Sequence, residues 1–520
     1  MAGFTALDYV VVLVYLFAVA LFGIYSAGSQ KTTKDYFLGG RDMPWWAVLF
    51  SVVATETSTL TFISIPAVAY GGNLTFLQLT FGYIIGRIIV AVWFLPAYFK
   101  GELSTAYELL GQRFGEGMRS AASYTFIITR VLADGVRLFA TAIPLAVILR
   151  LAGAFPEWTD MQMYGLGILV IAIITLLYTF LGGIKAVIWM DVVQMAVYLG
   201  GALFAGILMM VHLPVSGEEA LALLQSEDKF RLFNWGWGMD WRSVLTDPYV
   251  FWVAVFGGAV FSVASHGTDQ LIVQRLLATR NLRDSQKAMI WSGIAACLQF
   301  AFFLGIGFML YLFYQAASPA ELGLQTADEV FAKFIVEEIP PGIAGLIIAA
   351  LIAAAMSSLS SSLNALASAT TFDILKPRFG SQWSPEKELG ISRRATIFWG
   401  IVLTGSALLF TWLQLSGEDR PAIVELGLGI ASYTYGGLLG VFLLGLLFTK
   451  PDKTDALAGF FTGLISLLFM VEGPVSNLLP GNPLAVAWPL YTLAGGLIVI
   501  FAANISMWLR KGHTKHRSGQ

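Results

Sequence analysis

Apolar runs of about 20 residues recur along this chain, and they bound its fold more tightly than any other feature. A run of that length crosses the hydrocarbon core of a bilayer as a helix. Only helices or closed barrels satisfy their backbones there, and these runs are too long for barrel strands. About thirteen are legible. They lie at Leu7–Ser26, Trp45–Ala69, Thr75–Phe99, Ala122–Leu149, Met163–Leu181, Ala186–Val211 and Tyr249–Gln270. The remainder lie at Ala288–Tyr314, Ile343–Phe372, Ala395–Leu413, Ala422–Phe448, Ala456–Val471 and Leu484–Leu509. Hydrophobic residues make up 57% of the 520 and charged residues 12%, a balance foreign to soluble domains. The expectation is an all-α polytopic membrane protein with one transmembrane domain over 1–520. Its environment is a lipid bilayer, and no obligate protein partner is inferred. A net charge of −2 points to no nucleic-acid partner. The single cysteine, Cys297, excludes an internal disulfide. No basic residue precedes the first run, which is of full spanning length, so no cleaved leader is expected.

Charges between the runs give the orientation. Basic residues fill alternate loops: Lys31, Lys34 and Arg41; Lys100, Arg113 and Arg119; Lys185; Arg275, Arg280, Arg283 and Lys287. They continue with Lys376, Arg378, Lys387, Arg393 and Arg394, then Lys450 and Lys453, then Arg510, Lys511, Lys515 and Arg517. The intervening loops are acidic or neutral, with Glu218, Glu219, Glu227, Asp228, Asp328, Glu329, Glu337 and Glu338. The positive-inside rule then places the N-terminus outside and the C-terminus in the cytoplasm. In the longest outer loop, His212–Asp247, residues Trp235, Trp237 and Trp241 suggest an interfacial cap.

Polar residues at bilayer depth are costly and mark function. In the ninth run, Ala354, Ser357, Ser358, Ser361 and Ser368 share one helix face. Their hydroxyls need partners, and two remain open. One is the helix's own i−4 carbonyls, with small residues serving close packing. The other is a desolvated hard cation, which wants several neutral oxygens. In the second run Ala54, Thr55, Glu56, Thr57, Ser58, Thr59 and Thr61 weaken the helix, and Gly71 and Gly72 close it. A broken span with free carbonyls is expected there, a polar helix–helix seam being the alternative.

The seventh run ends in Ser262, Ser265, His266, Gly267, Thr268, Asp269 and Gln270, and carries Gly257 and Gly258 in its middle. A second break is expected in it. Paired breaks in two halves point to a central binding site. The spacing suits repeats over 44–211 and 248–448, a leading helix at 7–26 and trailing helices at 456–471 and 484–509. Asp191 reads either as a carboxylate capping its span near Gly182 and Gly183 or as a neighbour for a cation. Arg130 and Arg137 flank Asp134 at helical spacing, so an internal ion pair is the plain account. Two arginines against one aspartate leave a surplus positive charge suited to a solute carboxylate. His266 reads as a packing histidine. No P-loop, Rossmann glycine pattern or Cys/His metal cluster occurs, and no nucleophile–base set can be assembled.

The runs FLGGRDMPWWAV (Phe37–Val48), GGIKAVIWMDVVQ (Gly182–Gln194), GTDQLIVQR (Gly267–Arg275) and AAAMSSLSSSLN (Ala353–Asn364) resemble the sodium–solute symporter family, the sodium/glucose-cotransporter-like group. The resemblance implies a LeuT-like core of five plus five inverted helices and a Na+ site between the first and eighth core helices. Its implied ligands are the carbonyls of Ala54, Thr57 and Ala354 and the hydroxyls of Ser357 and Ser358. A second Na+, present in members similar to bacterial sialic acid transporters, would map to Asp191, Ser357, Ser360 and Ser361. Solute contacts are expected from Thr55, Glu56, Ser58, Thr61, Gln78, Arg137, Ser262 and Ser265. Sodium/galactose members carry Asn where Glu56 stands, a Tyr gate where Ser265 stands and a lysine where Ala296 stands. These departures argue against a galactose-type pocket.

The expected function is sodium-coupled import of a small-molecule substrate, an organic acid before a sugar, polyol or amino acid, by alternating access in a plasma (inner) membrane. Proton coupling through Glu56 or Asp191 is the rival within transporters. Membrane solute sensing is the rival class, without a signalling kinase domain after the last span. Enzymatic activity is not expected.

Overall fold

The computed structural model describes residues 5–26, 30–101, 103–151, 155–324, 326–416, 423–470 and 486–517. The expected starts at Ala422 and Leu484 and the expected end at Val471 lie outside them. The described chain is helical, with α1 Ala6–Ser26, α2 Trp45–Glu56, α3 Thr59–Gly71, α4 Leu77–Ile89, α5 Ala106–Phe114, α6 Glu116–Leu151 and α7 Asp160–Val211. It continues through α8 Phe251–Gly267, α9 Gln270–Leu277, α10 Leu282–Phe313, α11 Ile343–Ala369 and α12 Pro385–Ser416. The last three are α13 Ile423–Leu447, α14 Lys453–Met470 and α15 Tyr491–Arg517.

Among the described residues, ten helices are long and apolar enough to cross a membrane, and eleven if the bent pair α2–α3 is one span. The 52-residue α7 covers both the fifth and sixth expected runs, with the chain turning inside it at Gly183 (φ 54°, ψ −155°). A Cβ there would sit 2.3 Å from the Tyr36 carbonyl oxygen, so only glycine fits. The polar helix α6 covers the fourth run and carries Arg130, Asp134 and Arg137.

The second run breaks as expected. Thr57 (ψ 105°) and Ser58 (ψ 174°) are extended, and the halves meet at 62°. Local chemistry explains it. Thr55 and Thr57 hydroxyls donate back to the Ser51 and Val53 carbonyls at 2.7 and 2.9 Å, competing with the helix ladder. The Ser58 N–H turns instead to Thr61 Oγ1 at 3.4 Å, which starts α3 and leaves the Ala54 carbonyl without its helical partner.

The seventh run also breaks, but not at its glycines. Thr268 and Asp269 interrupt it, and Asp269 caps α9 by accepting from the Leu271 N–H at 2.9 Å. Gly257 and Gly258 stay helical, and Gly258 serves close approach. A Cβ on Gly258 would meet the Leu79 carbonyl at 2.6 Å, and one on Gly82 the Val255 carbonyl at 2.3 Å, so α4 and α8 touch backbone to backbone.

Contacts between loops assign them to two faces. On the basic face, Arg41 donates to the Leu103 carbonyl, Arg280 pairs with Asp42, Thr33 and Lys376 both reach Glu388, and Arg119 pairs with Asp373. On the opposite face, Lys229 donates to the Tyr70 carbonyl at 2.6 Å and Gln78 to the Tyr249 carbonyl at 2.8 Å. Arg275 departs from the expected pattern. It is no loop charge: it lies in α9, fully buried.

Candidate functional site

The serine helix α11 is buried along nearly its whole length, and its hydroxyls do two things. Ser360 and Ser361 donate to the Ser357 carbonyl at 3.0 and 2.6 Å, and Ser362 lies 3.2 Å from that of Ser358, as the plain reading expects. Other contacts cross to neighbouring helices. Ser357 donates to Asp191 Oδ1 at 2.6 Å, Ser362 to Asp134 Oδ2 at 2.6 Å, and Ser361 lies 3.2 Å from Thr55 Oγ1. Ser358 has only a long bond, 3.3 Å, to the Ala354 carbonyl. That hydroxyl lines a small cavity with Ser58, Asp134, Arg137, Leu138, Thr141, Ala355 and Leu359. The α2–α3 break, the serine helix and Arg137 therefore share one opening. Ser58, Thr141 and Ser358 bring hydroxyl-bearing side chains to that opening, and the Ala54 carbonyl is left free at the α2–α3 break.

Three buried charge networks surround the opening. In the first, Asp191, expected near its span's start, is fully buried against Arg275. The guanidinium Nη2 lies 3.3 Å from Asp191 Oδ2 and also touches the Ser361 hydroxyl, while Nε donates to Ser51 at 2.9 Å. Ser51 in turn donates to Asp191 at 2.5 Å. Asp191, Ser357 and Ser361 thus come together around Arg275, and Ser360 points to its own helix.

In the second, Arg130 lies 3.5 Å from Asp134 and 3.6 Å from Asp269, whose Oδ2 also accepts from the Tyr435 hydroxyl at 2.7 Å. Arg137 lies 3.7 Å from Asp134. The two arginines therefore face two aspartates, so the surplus charge expected from the sequence is cancelled by Asp269. Arg137 is the partly exposed member, its side chain 26% accessible, against 1% for Arg130.

In the third, Glu56 is held by Arg87 at 2.5 Å and approached by His266 Nε2 at 2.9 Å. Arg87 also donates to Ser292 at 2.8 Å, and Ser265 lies 2.8 Å from His266 Nδ1. His266 is thus an ion-pair neighbour rather than simple packing.

The remaining expected solute contacts divide. Ser58 lines the cavity, and Thr61 holds the Ser58 backbone. Thr55 faces Ser361, and Ser262 bonds the Tyr83 carbonyl at 3.1 Å. Gln78 lies apart, binding the Tyr249 carbonyl and accepting from the Asn234 N–H of the outer loop. Arg87 and Arg275 were missed as site residues. A charge at the centre of the third run was a visible signal for Arg87.

Comparison with known proteins completes the description. A model of the family "Sodium:solute symporter family" matches residues 36–463. The chain is 31% identical to the sodium/sialic acid symporter SiaT of Proteus mirabilis, over 97% of this chain and 95% of that protein. It is 29% identical to the sodium/sialic acid symporter NanT of Aliivibrio fischeri, over 90% and 88%. It is 28% identical to the human sodium/iodide cotransporter, over 90% and 70%. Among solved structures, a substrate-bound, outward-open Na+-coupled sialic acid symporter, described as revealing a novel Na+ site, superposes with a TM-score of 0.82. That match is 29% identical and covers 97% of this chain and 98% of the other.

Proposed function

This chain belongs to the sodium:solute symporter family, and from that premise we propose which solute it carries and how its residues couple solute to ion. It is a multi-pass membrane protein that moves a small solute with Na+, and it is not an enzyme. The solute is a small organic acid. The observation that carries this reading is Arg137, half-exposed in the cavity it shares with Ser58 and Ser358. A guanidinium there takes a carboxylate in a two-pronged contact. Sialic acid, in the names of two relatives, is such an acid.

Sodium binds between the α2–α3 break and α11, on the carbonyls of Ala54, Thr57 and Ala354 and the hydroxyls of Ser357 and Ser358. The charge count explains coupling. Arg130 and Arg137 offset Asp134 and Asp269, Arg87 offsets Glu56, and Arg275 offsets Asp191. Sodium alone, or a carboxylate alone, leaves a net charge in a low-dielectric site, whereas both together cancel. At roughly 5 Å and an effective dielectric constant of ~20 their attraction is about 3 kcal/mol. That corresponds to roughly 100-fold mutual enhancement of affinity. Sodium also orders the broken span by bridging it to α11, and rocking of one bundle then exposes the other side. A second Na+ sits at Asp191, Ser357, Ser360 and Ser361, more weakly, because Arg275 shares the carboxylate. The basic face lies in the cytoplasm of a plasma (inner) membrane, with the N-terminus outside.

Calorimetric titration of the purified protein with organic acids, sugars and amino acids, with and without Na+, tests the reading. An acid is expected to bind, roughly 100-fold tighter with Na+. Arg137→Ala should abolish its binding and spare that of Na+. A neutral sugar that binds both forms equally well, with no acid binding, would sink the proposal.

A further inference from the structure

Away from the helix breaks, on the basic face, a second cavity of about 240 Å³ opens between α5 and the end of α13. Leu109, Leu110, Phe442, Gly445 and Leu446 line it, and Gln112 and Arg113 stand at its rim. Its origin is local. The nine-residue α5 buries Ala106, Tyr107, Leu110 and Phe114, while Gly445 on α13 contributes no side chain. A Cβ on Gly445 would come 3.2 Å from the Phe114 ring, so glycine keeps the slot open.

The charge above the slot is one-sided. Arg113 Nη2 donates to the carbonyls of Phe448, Thr449 and Pro451 at 3.1, 2.8 and 3.1 Å, which fixes its guanidinium at the rim. Lys450 is exposed between those carbonyls. The Lys453 ammonium lies 3.3 Å from where a Cβ on Gly117 would be, at the start of α6. Nearby carboxylates are already engaged. Glu108 and Glu116 pair with Arg119, and Asp452 and Asp455 pair with Arg510. Among the described residues, no carboxylate lies within ion-pair distance of Arg113, Lys450 or Lys453. The slot sits where the apolar helix α13 gives way to polar loop, the level of a headgroup.

We propose that this slot is a binding site for one anionic glycerophospholipid, its phosphate among Arg113, Lys450 and Lys453 and an acyl chain along Leu109, Leu110 and Leu446. A free phosphate would leave the apolar floor bare. A zwitterionic lipid would bring its own cation to three already there. Basic pockets beside spanning helices attract acidic headgroups in this manner. The bound lipid ties α5 to the end of α13.

The test uses the full-length protein, stripped of lipid in a neutral detergent. Phosphatidylglycerol, phosphatidylcholine and glycerol phosphate are each titrated while the melting temperature and the lipid adducts in native mass spectra are recorded. The expected result is a rise with phosphatidylglycerol alone and one retained adduct. Lys450→Gln with Lys453→Gln, both at exposed positions, should at least halve the rise. Leu109→Trp should fill the slot and abolish the adduct. An equal rise with phosphatidylcholine or with glycerol phosphate would overturn the proposal. So would a phosphatidylglycerol response unchanged in both variants.

Discussion

Ser358 is the serine of α11 whose hydroxyl is least committed, with one long bond to its own helix and one side on the cavity. Its removal should therefore cost the ion more than it costs the fold. Ser358→Ala is expected to weaken Na+ affinity at least tenfold, about 1.4 kcal/mol, with expression near normal. The measurement is Na+ titration of melting temperature or of uptake, and an unchanged midpoint would remove Ser358 from the ligand set. The serine face and the polar interruption at Thr55–Thr61 were legible because hydroxyls are conspicuous in hydrocarbon. Their partners were less so. Arg275 reads as a loop charge because it follows a run of polar residues, and its aspartate lies 84 positions away. Asp269 looked like a span end for the same reason. Which arginine meets which carboxylate depends on helix packing, and no local pattern carries it.

At the scale of elements, the broken second span was legible from its composition, since threonine and serine draw backbone groups away from the ladder. The break in the seventh falls at Thr268 and Asp269, and not at its mid-span glycines. Glycine in a spanning helix serves close packing as readily as breaking, and Gly82 and Gly258 do the former. One link between elements had no sequence signal. Asp8 of α1 is fully buried and accepts from the Gly342 and Gly345 N–H groups at 2.7 and 2.8 Å, at the start of α11. A carboxylate there offsets the positive end of the helix. Asp8→Ala should cost about 2 kcal/mol, because it orphans the buried Gly345 N–H and the part-buried Gly342 N–H. A melting temperature lowered by a few degrees, with Na+ affinity unchanged at low temperature, is the expected outcome. An unshifted melt would mean that the leading helix does not hold the serine helix.

For the whole molecule, the alternation of basic and acidic loops predicted two faces, and loop-to-loop contacts across hundreds of residues assign the loops accordingly. The helix count differs from the number of expected runs, because α7 covers two of them and α6, over the fourth, carries Arg130, Asp134 and Arg137. Transport stoichiometry belongs at this scale. One Na+ with one monocarboxylate moves no net charge, whereas two Na+ move one charge per solute and gain about 2.3 kcal/mol per 100 mV of membrane potential. Asp191→Asn combined with Arg275→Gln, which keeps the interior balanced, should reduce charge per solute from one to zero in proteoliposome currents paired with tracer flux. A ratio that stays put would remove the second ion. The glycine seam of α4 and α8 has a mechanical consequence. With peptide groups in close contact at Gly82 and Gly258, the two helices are expected to tilt together. An aperture is then expected elsewhere, at the seam where Ser58 and Ser358 line a space about the size of a water molecule.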